Sequence, residues 1–135
     1  MKKIVIAEDE YFVRCGIANG IDWEQHGFQI AGIAENGEQA LALVRCYLPD
    51  VLITDIRMPV MDGLSLIREA KKIRSTLKII ILTAYSDFEY AQEAIQLGVN
   101  DYVLKLSAKP KDILQRIQKL FGSETAEASS YSVPQ

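Results

Sequence analysis

Five side chains of types that handle phosphate and divalent metal each stand at or just after the end of a short aliphatic run. Glu8 and Asp9 follow Ile4-Val5-Ile6-Ala7, Asp55 follows Val51-Leu52-Ile53-Thr54, Thr83 closes Ile79-Ile80-Ile81-Leu82, and Lys105 follows Tyr102-Val103-Leu104. Closely set carboxylates raise one another's proton affinity, so a site holding several at neutral pH calls for a cation. Oxygen-only ligands suit a hard divalent ion, and Mg²⁺ characteristically takes a few carboxylates together with phosphate and water. Asp9 and Asp55 would be direct ligands, the backbone carbonyl of Arg57 a third, and Glu8 a ligand directly or through water. The Lys105 ammonium could then hold a phosphoryl oxygen and the Thr83 hydroxyl donate to another. Phosphoryl transfer depends chiefly on positioning and charge neutralisation, which this set supplies. Asp55 is the best nucleophile of the group, lying between the metal ligands and the lysine.

Taken singly, each residue has a plainer reading. An acidic pair after a strand suits a helix N-terminus, Thr83 reads as a strand-end residue or cap, Lys105 as a solvated charge, and Tyr102 as core. Only their joint placement at strand ends favours chemistry.

That placement requires alternating strands and helices around a parallel sheet. Aliphatic, β-branched runs at 3–7, 29–34, 51–54, 78–83 and 101–104 predict five strands. The unbroken apolar stretches at 51–53 and 79–82 mark strands buried on both faces, hence central ones. Between them Ala40, Leu41, Val44, Tyr47 and Leu48 recur at helical spacing, with Asn36 placed to cap and Gln39 to reach back. Ala91, Ala94 and Ile95 mark another helix, which a Ser86 to Glu89 capping box would open. Ile113, Leu114, Ile117, Leu120 and Phe121 form one face of the last helix, with Pro110 tolerated in its first turn. Gly98 and Gly122 stand where helix ends are expected, and the count becomes five strands and five helices. In an open doubly wound sheet ligands bind beyond the carboxyl ends of the strands, where the five chemical residues fall.

The 135 residues, 49% hydrophobic and 24% charged, fit one globular domain and exclude a second large one. Residues 1–122 form that domain, and the small, polar stretch 123–135 reads as a flexible tail or linker. A net charge of -3 leaves no excess positive charge to grip a nucleic acid backbone. The opening apolar run is cut by Glu8-Asp9-Glu10 too early for a signal peptide, and no run approaches the ~20 residues of a membrane span. A cytoplasmic protein without membrane contact is expected. Cys15 and Cys46 lack disulfide or metal spacing and read as reduced thiols. His26, in the loop before the second strand, reads as structural, and Trp23 and Phe28 as the packing anchor of that loop.

The motifs Ile4-Val5-Ile6-Ala7-Glu8-Asp9-Glu10, the stretch from Asp50 through Asp55, Met58 and Pro59 to Asp62-Gly63, Ile81-Leu82-Thr83-Ala84, and Gly98-Val99-Asn100-Asp101-Tyr102-Val103-Leu104-Lys105 together resemble the receiver domain of two-component response regulators. The resemblance covers roughly residues 2–122. It implies a five-stranded parallel sheet of order 2-1-3-4-5 with five flanking helices, an arrangement for which a chemotaxis regulator is the standing example. It further implies that Asp55 is phosphorylated by a sensor histidine kinase, that Glu8 and Asp9 hold Mg²⁺, and that Lys105 contacts the phosphoryl group. Thr83 and Tyr102 would form a switch pair that alters the surface of the fourth helix, fifth strand and fifth helix, a surface suited to homodimer formation. Such a domain catalyses only its own phosphorylation and dephosphorylation. The stretches from Asp22-Trp23-Glu24 to Gly37 and from Ala84-Tyr85-Ser86 to Ala91 are similar to receivers of regulators with a C-terminal AraC-type DNA-binding domain, absent from this chain.

One departure stands out: the family's Lys-Pro is here Lys105-Leu106, and the next proline is Pro110. A non-proline cis bond costs about 2.5–4 kcal/mol, so this peptide is expected to be trans and Lys105 less firmly aimed. The long side chain of Arg57 could shield the phosphoryl group or compete near it. Two rival classes remain at this point: a small Mg²⁺-dependent phosphohydrolase, and a pseudo-receiver that binds a partner protein without phosphorylation.

Overall fold

The computed structural model describes residues 1–106 and 109–130, without the side chains of residues 85, 88 and 123–130. Strands and helices alternate: β1 (Lys2–Ala7), α1 (Tyr11–Asn19), β2 (Phe28–Ala34), α2 (Gly37–Tyr47), β3 (Val51–Asp55), α3 (Gly63–Ile73), β4 (Lys78–Thr83), α4 (Phe88–Gln96), β5 (Asp101–Leu104) and α5 (Pro110–Ser130). Short 3-10 turns at Trp23–His26 and Tyr85–Asp87 precede β2 and α4. The five strands are parallel in the order β2-β1-β3-β4-β5. Each begins within one residue of its expected start; β1, β3 and β4 are buried along most of their length and show as continuous apolar runs, whereas β2 and β5, at the edges of the sheet, are only partly buried.

Alternate residues of those strands serve two cores. Val5, Ala7, Leu52, Ile79 and Ile81 pack with Leu41, Val44, Leu66, Ile67 and Ala94 of α2, α3 and α4. Ile4, Ile6, Val51, Ile53, Ile80 and Leu82 pack on the other face with Ile17 of α1 and Ile113, Leu114 and Ile117 of α5. Each such fully buried aliphatic side chain contributes about 1.5–3 kcal/mol. Trp23 belongs to the second core: its indole Nε1 donates to the Ile17 carbonyl at 2.9 Å, and its ring meets Phe28 edge-on at 6.4 Å. It is the anchor its surroundings suggested. His26 is exposed beside it, at the amino ends of the strands.

Local signals fared unevenly. Asn36 Oδ1 accepts from Gln39 N at 2.9 Å and Gln39 Oε1 from Glu35 N at 3.0 Å, as expected for a reciprocal cap. Gly98, at φ 96°, terminates α4 in the left-handed conformation that glycine takes without penalty. The Ser86 to Glu89 capping box does not form: Ser86 lies within the 3-10 turn, Asp87 stands at the start of α4, and it makes no capping side-chain bond there. Nor does the last helix stop at Gly122. Its backbone continues to Ser130 through Ser-Glu-Thr-Ala-Glu-Ala, which contains no proline and several good helix formers. Residues 123–130 of the expected tail are thus helical in backbone, and the rest of the tail lies outside the described residues. Among the described residues no helix is long and apolar enough to cross a membrane.

Candidate functional site

The parallel registers carry the chemical residues to one edge. Ala7 pairs with Thr54, Asp55 with Leu82, and Thr83 with Leu104, so Glu8, Asp55, Thr83 and Lys105 emerge at neighbouring strand ends. The chain after β3 must fold back at once, and it does so against glycine: Gly63 N donates to the Ile56 carbonyl at 2.6 Å, and a β-carbon there would strike the Asp55 carbonyl. In the loop between them Val60 takes φ 70° in a three-residue turn closed by Met61 N donating to the Pro59 carbonyl at 2.8 Å. A β-branched residue in that region is strained.

Asp55 is 3% exposed. Its Oδ1 accepts from Ile56 N at 2.7 Å and its Oδ2 from Lys105 Nζ at 3.1 Å. Glu8 is fully buried, and its Oε2 accepts from Glu10 N at 2.9 Å and from Lys105 Nζ at 3.2 Å. Lys105 Nζ also donates to Glu10 Oε1. No peptide among the described residues is cis, so the bond after Lys105 is trans as expected. The lysine is nonetheless aimed at Asp55, held by three carboxylates and by its own amide, which donates to the Thr83 carbonyl at 2.9 Å.

The electrostatics are those of unneutralised negative charge. Burial pushes the Glu8 carboxyl up to about 8, reinforced by Asp55 and opposed by the Glu10 amide and Lys105. Burial likewise raises Asp55, against the attraction of Lys105. For Lys105 burial works the other way, but its bond to Glu10 and the charges of Asp55 and Glu8 outweigh it and hold the ammonium above its ordinary value. One buried oxygen, Glu8 Oε1, makes no hydrogen bond, though the Lys105 ammonium stands 3.2 Å away. Carboxylate oxygens of Glu8, Asp9 and Glu10 lie within 4.8 Å of one another. An under-bonded buried carboxylate, oxygen-only donors and excess negative charge fit a divalent cation such as Mg²⁺.

The remaining expected residues are placed less directly. Thr83 is buried and its hydroxyl donates to the Ala84 carbonyl at 3.1 Å. Tyr102 is 42% exposed on β5. The Arg57 guanidinium lies neither over Asp55 nor in solvent alone, but against α4, with Nη1 3.2 Å from Asp87 Oδ1. Two residues were missed. Glu10, a third acid beside Glu8-Asp9, was there to be noticed. Arg14, whose Nη1 donates to the Glu8 and Asp9 carbonyls at 3.2 and 3.0 Å, has no signal in the sequence.

The response regulator receiver domain family model matches residues 4–118. The chain belongs to this family. The receiver is 40% identical over 105 residues to the transcriptional regulatory protein YesN of Bacillus subtilis, a stretch covering 78% of this chain and 28% of that protein. It is 39% identical over the same length to the transcriptional regulatory protein HptR of Staphylococcus aureus, covering 78% of this chain and 41% of that protein. The matched stretch is therefore less than half the length of these curated relatives. Among solved structures, the receiver domain of AraT, a response regulator from Geobacillus stearothermophilus, superposes with a TM-score of 0.85 at 38% identity, covering 95% of this chain and 98% of that one.

Proposed function

We propose that this receiver is a phosphorylation switch in which Asp55 takes a phosphoryl group from the phosphohistidine of a sensor kinase. The observation that carries the reading is the Asp55 carboxylate itself: 3% exposed, at a strand end, with one oxygen on the Lys105 ammonium at 3.1 Å, an ammonium it shares with the buried Glu8 carboxylate. In the transfer an Asp55 carboxylate oxygen forms the new O–P bond as the N–P bond of the donor histidine breaks. Lys105 would leave Glu8 and Glu10 for a phosphoryl oxygen, and the Thr83 hydroxyl would turn from the Ala84 carbonyl toward another. Mg²⁺, held by Glu8, Asp9, Asp55 and the Arg57 carbonyl, would neutralise charge on the transferred group.

Movement of Thr83 would open space for Tyr102, now exposed, to turn inward, changing the face of α4, β5 and α5. That face would support a homodimer. The relatives' regulatory names and the AraC-type likeness of the motifs support a reading in which the receiver works within a longer, cytoplasmic parent protein that carries a DNA-binding domain.

The test is intact mass after incubation with acetyl phosphate, with and without Mg²⁺, for the wild type and Asp55→Ala. One added phosphoryl group, absent without the metal and absent in the variant, is expected. A wild type that takes none from acetyl phosphate under any condition, and none from purified sensor kinases, would leave the domain as a partner-binding module.

A further inference from the structure

Asp87 is a carboxylate with little solvent, its side chain 7% exposed, standing at the start of α4. An acid in that position ordinarily accepts from the amides of the first helical turn, yet Asp87 makes no such bond. Its Oδ1 accepts instead from Arg57 Nη1 at 3.2 Å, from a residue 30 positions away. The same guanidinium lies 5.4 Å from the centre of the Tyr90 ring, one turn into α4. A long cationic side chain rooted two residues after Asp55 is therefore laid against α4 by an anion and an aromatic face.

Arg57 is otherwise open to water, its side chain 63% exposed, so these contacts and not packing direct it. A phosphoryl group on Asp55 would carry about -1.5 to -2 charge and offer oxygens that match a guanidinium fork. Two anions then compete for one cation, and only one of them is permanent.

Resting on the reading of Asp55 as the phosphoacceptor, we propose that Asp87 is a positioning residue for that chemistry: it draws the Arg57 guanidinium onto α4 and away from the phosphoryl group, and so shortens the life of the phosphorylated state. In hydrolysis a water oxygen bonds to phosphorus as the bond to the Asp55 oxygen breaks, returning the carboxylate and releasing inorganic phosphate with the water's proton. A guanidinium free to cover the phosphoryl oxygens obstructs that approach. A ligand of α4 that engages Asp87 or Tyr90 would free the guanidinium and prolong phosphorylation, and a phosphoryl group that draws the guanidinium away would loosen the start of α4.

The protein is phosphorylated with acetyl phosphate and Mg²⁺, freed of donor, and followed by intact mass as the added group is lost. Asp87→Asn is expected to lengthen the lifetime about threefold or more, the scale of one partly exposed ion pair. Asp87→Glu should restore a lifetime near that of the wild type. Arg57→Ala, which keeps its backbone carbonyl, should abolish the effect, so that Arg57→Ala/Asp87→Asn decays like Arg57→Ala alone. An unchanged or shortened lifetime in Asp87→Asn, or an extension that persists in the double variant, overturns the proposal. If Asp87→Asn does not fold by circular dichroism, Tyr90→Leu takes its place, with a smaller extension expected and no extension counting against the proposal. A wild type that accepts no phosphoryl group from acetyl phosphate or from purified sensor kinases overturns the reading of Asp55 and this inference with it; phosphorylation without an Asp87 effect overturns this inference alone.

Discussion

The two ends of the sheet solve opposite problems. At the amino ends of the strands, polar groups are met and aromatic rings are packed. Trp23, Phe28 and Phe121 pack in series, Lys2 sits over the Phe121 ring, and Arg74 reaches the Leu48 and Pro49 carbonyls and the Asp50 carboxylate, whose other oxygen accepts from Lys3 N. At the carboxyl ends, acids are buried together, one carboxylate oxygen lacks a hydrogen bond, and a valine is held at positive φ. Stability is concentrated where bonding is complete, and capacity for chemistry where it is not, because a phosphoryl group and a cation can complete the second end but have nothing to add to the first.

The contrast is sharpest in the sign of substitutions. Trp23→Ala, which empties a packed site and orphans the Ile17 carbonyl, should cost about 3–5 kcal/mol in urea unfolding while leaving acetyl phosphate reactivity of the folded fraction intact. Glu8→Gln should go the other way, raising the stability of the metal-free protein at pH 8 by about 1–3 kcal/mol through removal of a desolvated charge while weakening Mg²⁺ binding. A Glu8→Gln protein less stable than the wild type in chelator would show the acidic end to be a source of stability after all.

The same contrast predicts a pH dependence. Because the folded-state value of Glu8, about 8, lies above its ordinary 4.5, the native protein binds the proton more tightly than the unfolded chain. Its contribution to stability is complete below the ordinary value and is lost as pH rises through the folded one. Asp55, also raised, acts in the same direction. The melting temperature in chelator should therefore fall between pH 5 and pH 8, and saturating Mg²⁺ should flatten the fall; a flat or rising profile in chelator contradicts the assignment. Smallest of the effects, Val60→Gly should relieve the strained turn and stabilise by up to about 1 kcal/mol, readable as a higher urea midpoint with an unchanged slope.

Much of this molecule was legible without coordinates. Aliphatic, β-branched runs located all five strands, most plainly the central ones whose continuous burial leaves no alternative composition, and residues at the ends of those runs named Glu8, Asp9, Asp55, Thr83 and Lys105 together. The Asn36-Gln39 cap was readable because its partners lie within one helical turn. Ser86 misled because Ser86 and Asp87 are both capable caps, and what occupies Asp87 is an arginine from another loop. The helix beyond Gly122 was missed because glycine permits a helix end without requiring one.

Strand positions and the identity of the acidic, hydroxyl and ammonium groups thus followed from local composition and from spacing along the chain, and the strand order from the family resemblance of the motifs. Folding in three dimensions decided where each charge is aimed. Lys105 reaches Asp55 through a trans peptide because Glu8, Glu10 and the Thr83 carbonyl hold it, and Arg57 lies on α4 because a buried Asp87 waits there. Burial and the orientation of long, flexible side chains depend on partners tens of residues distant, and the energies that set them are Coulombic and desolvation terms that exist only once the chain has closed around them.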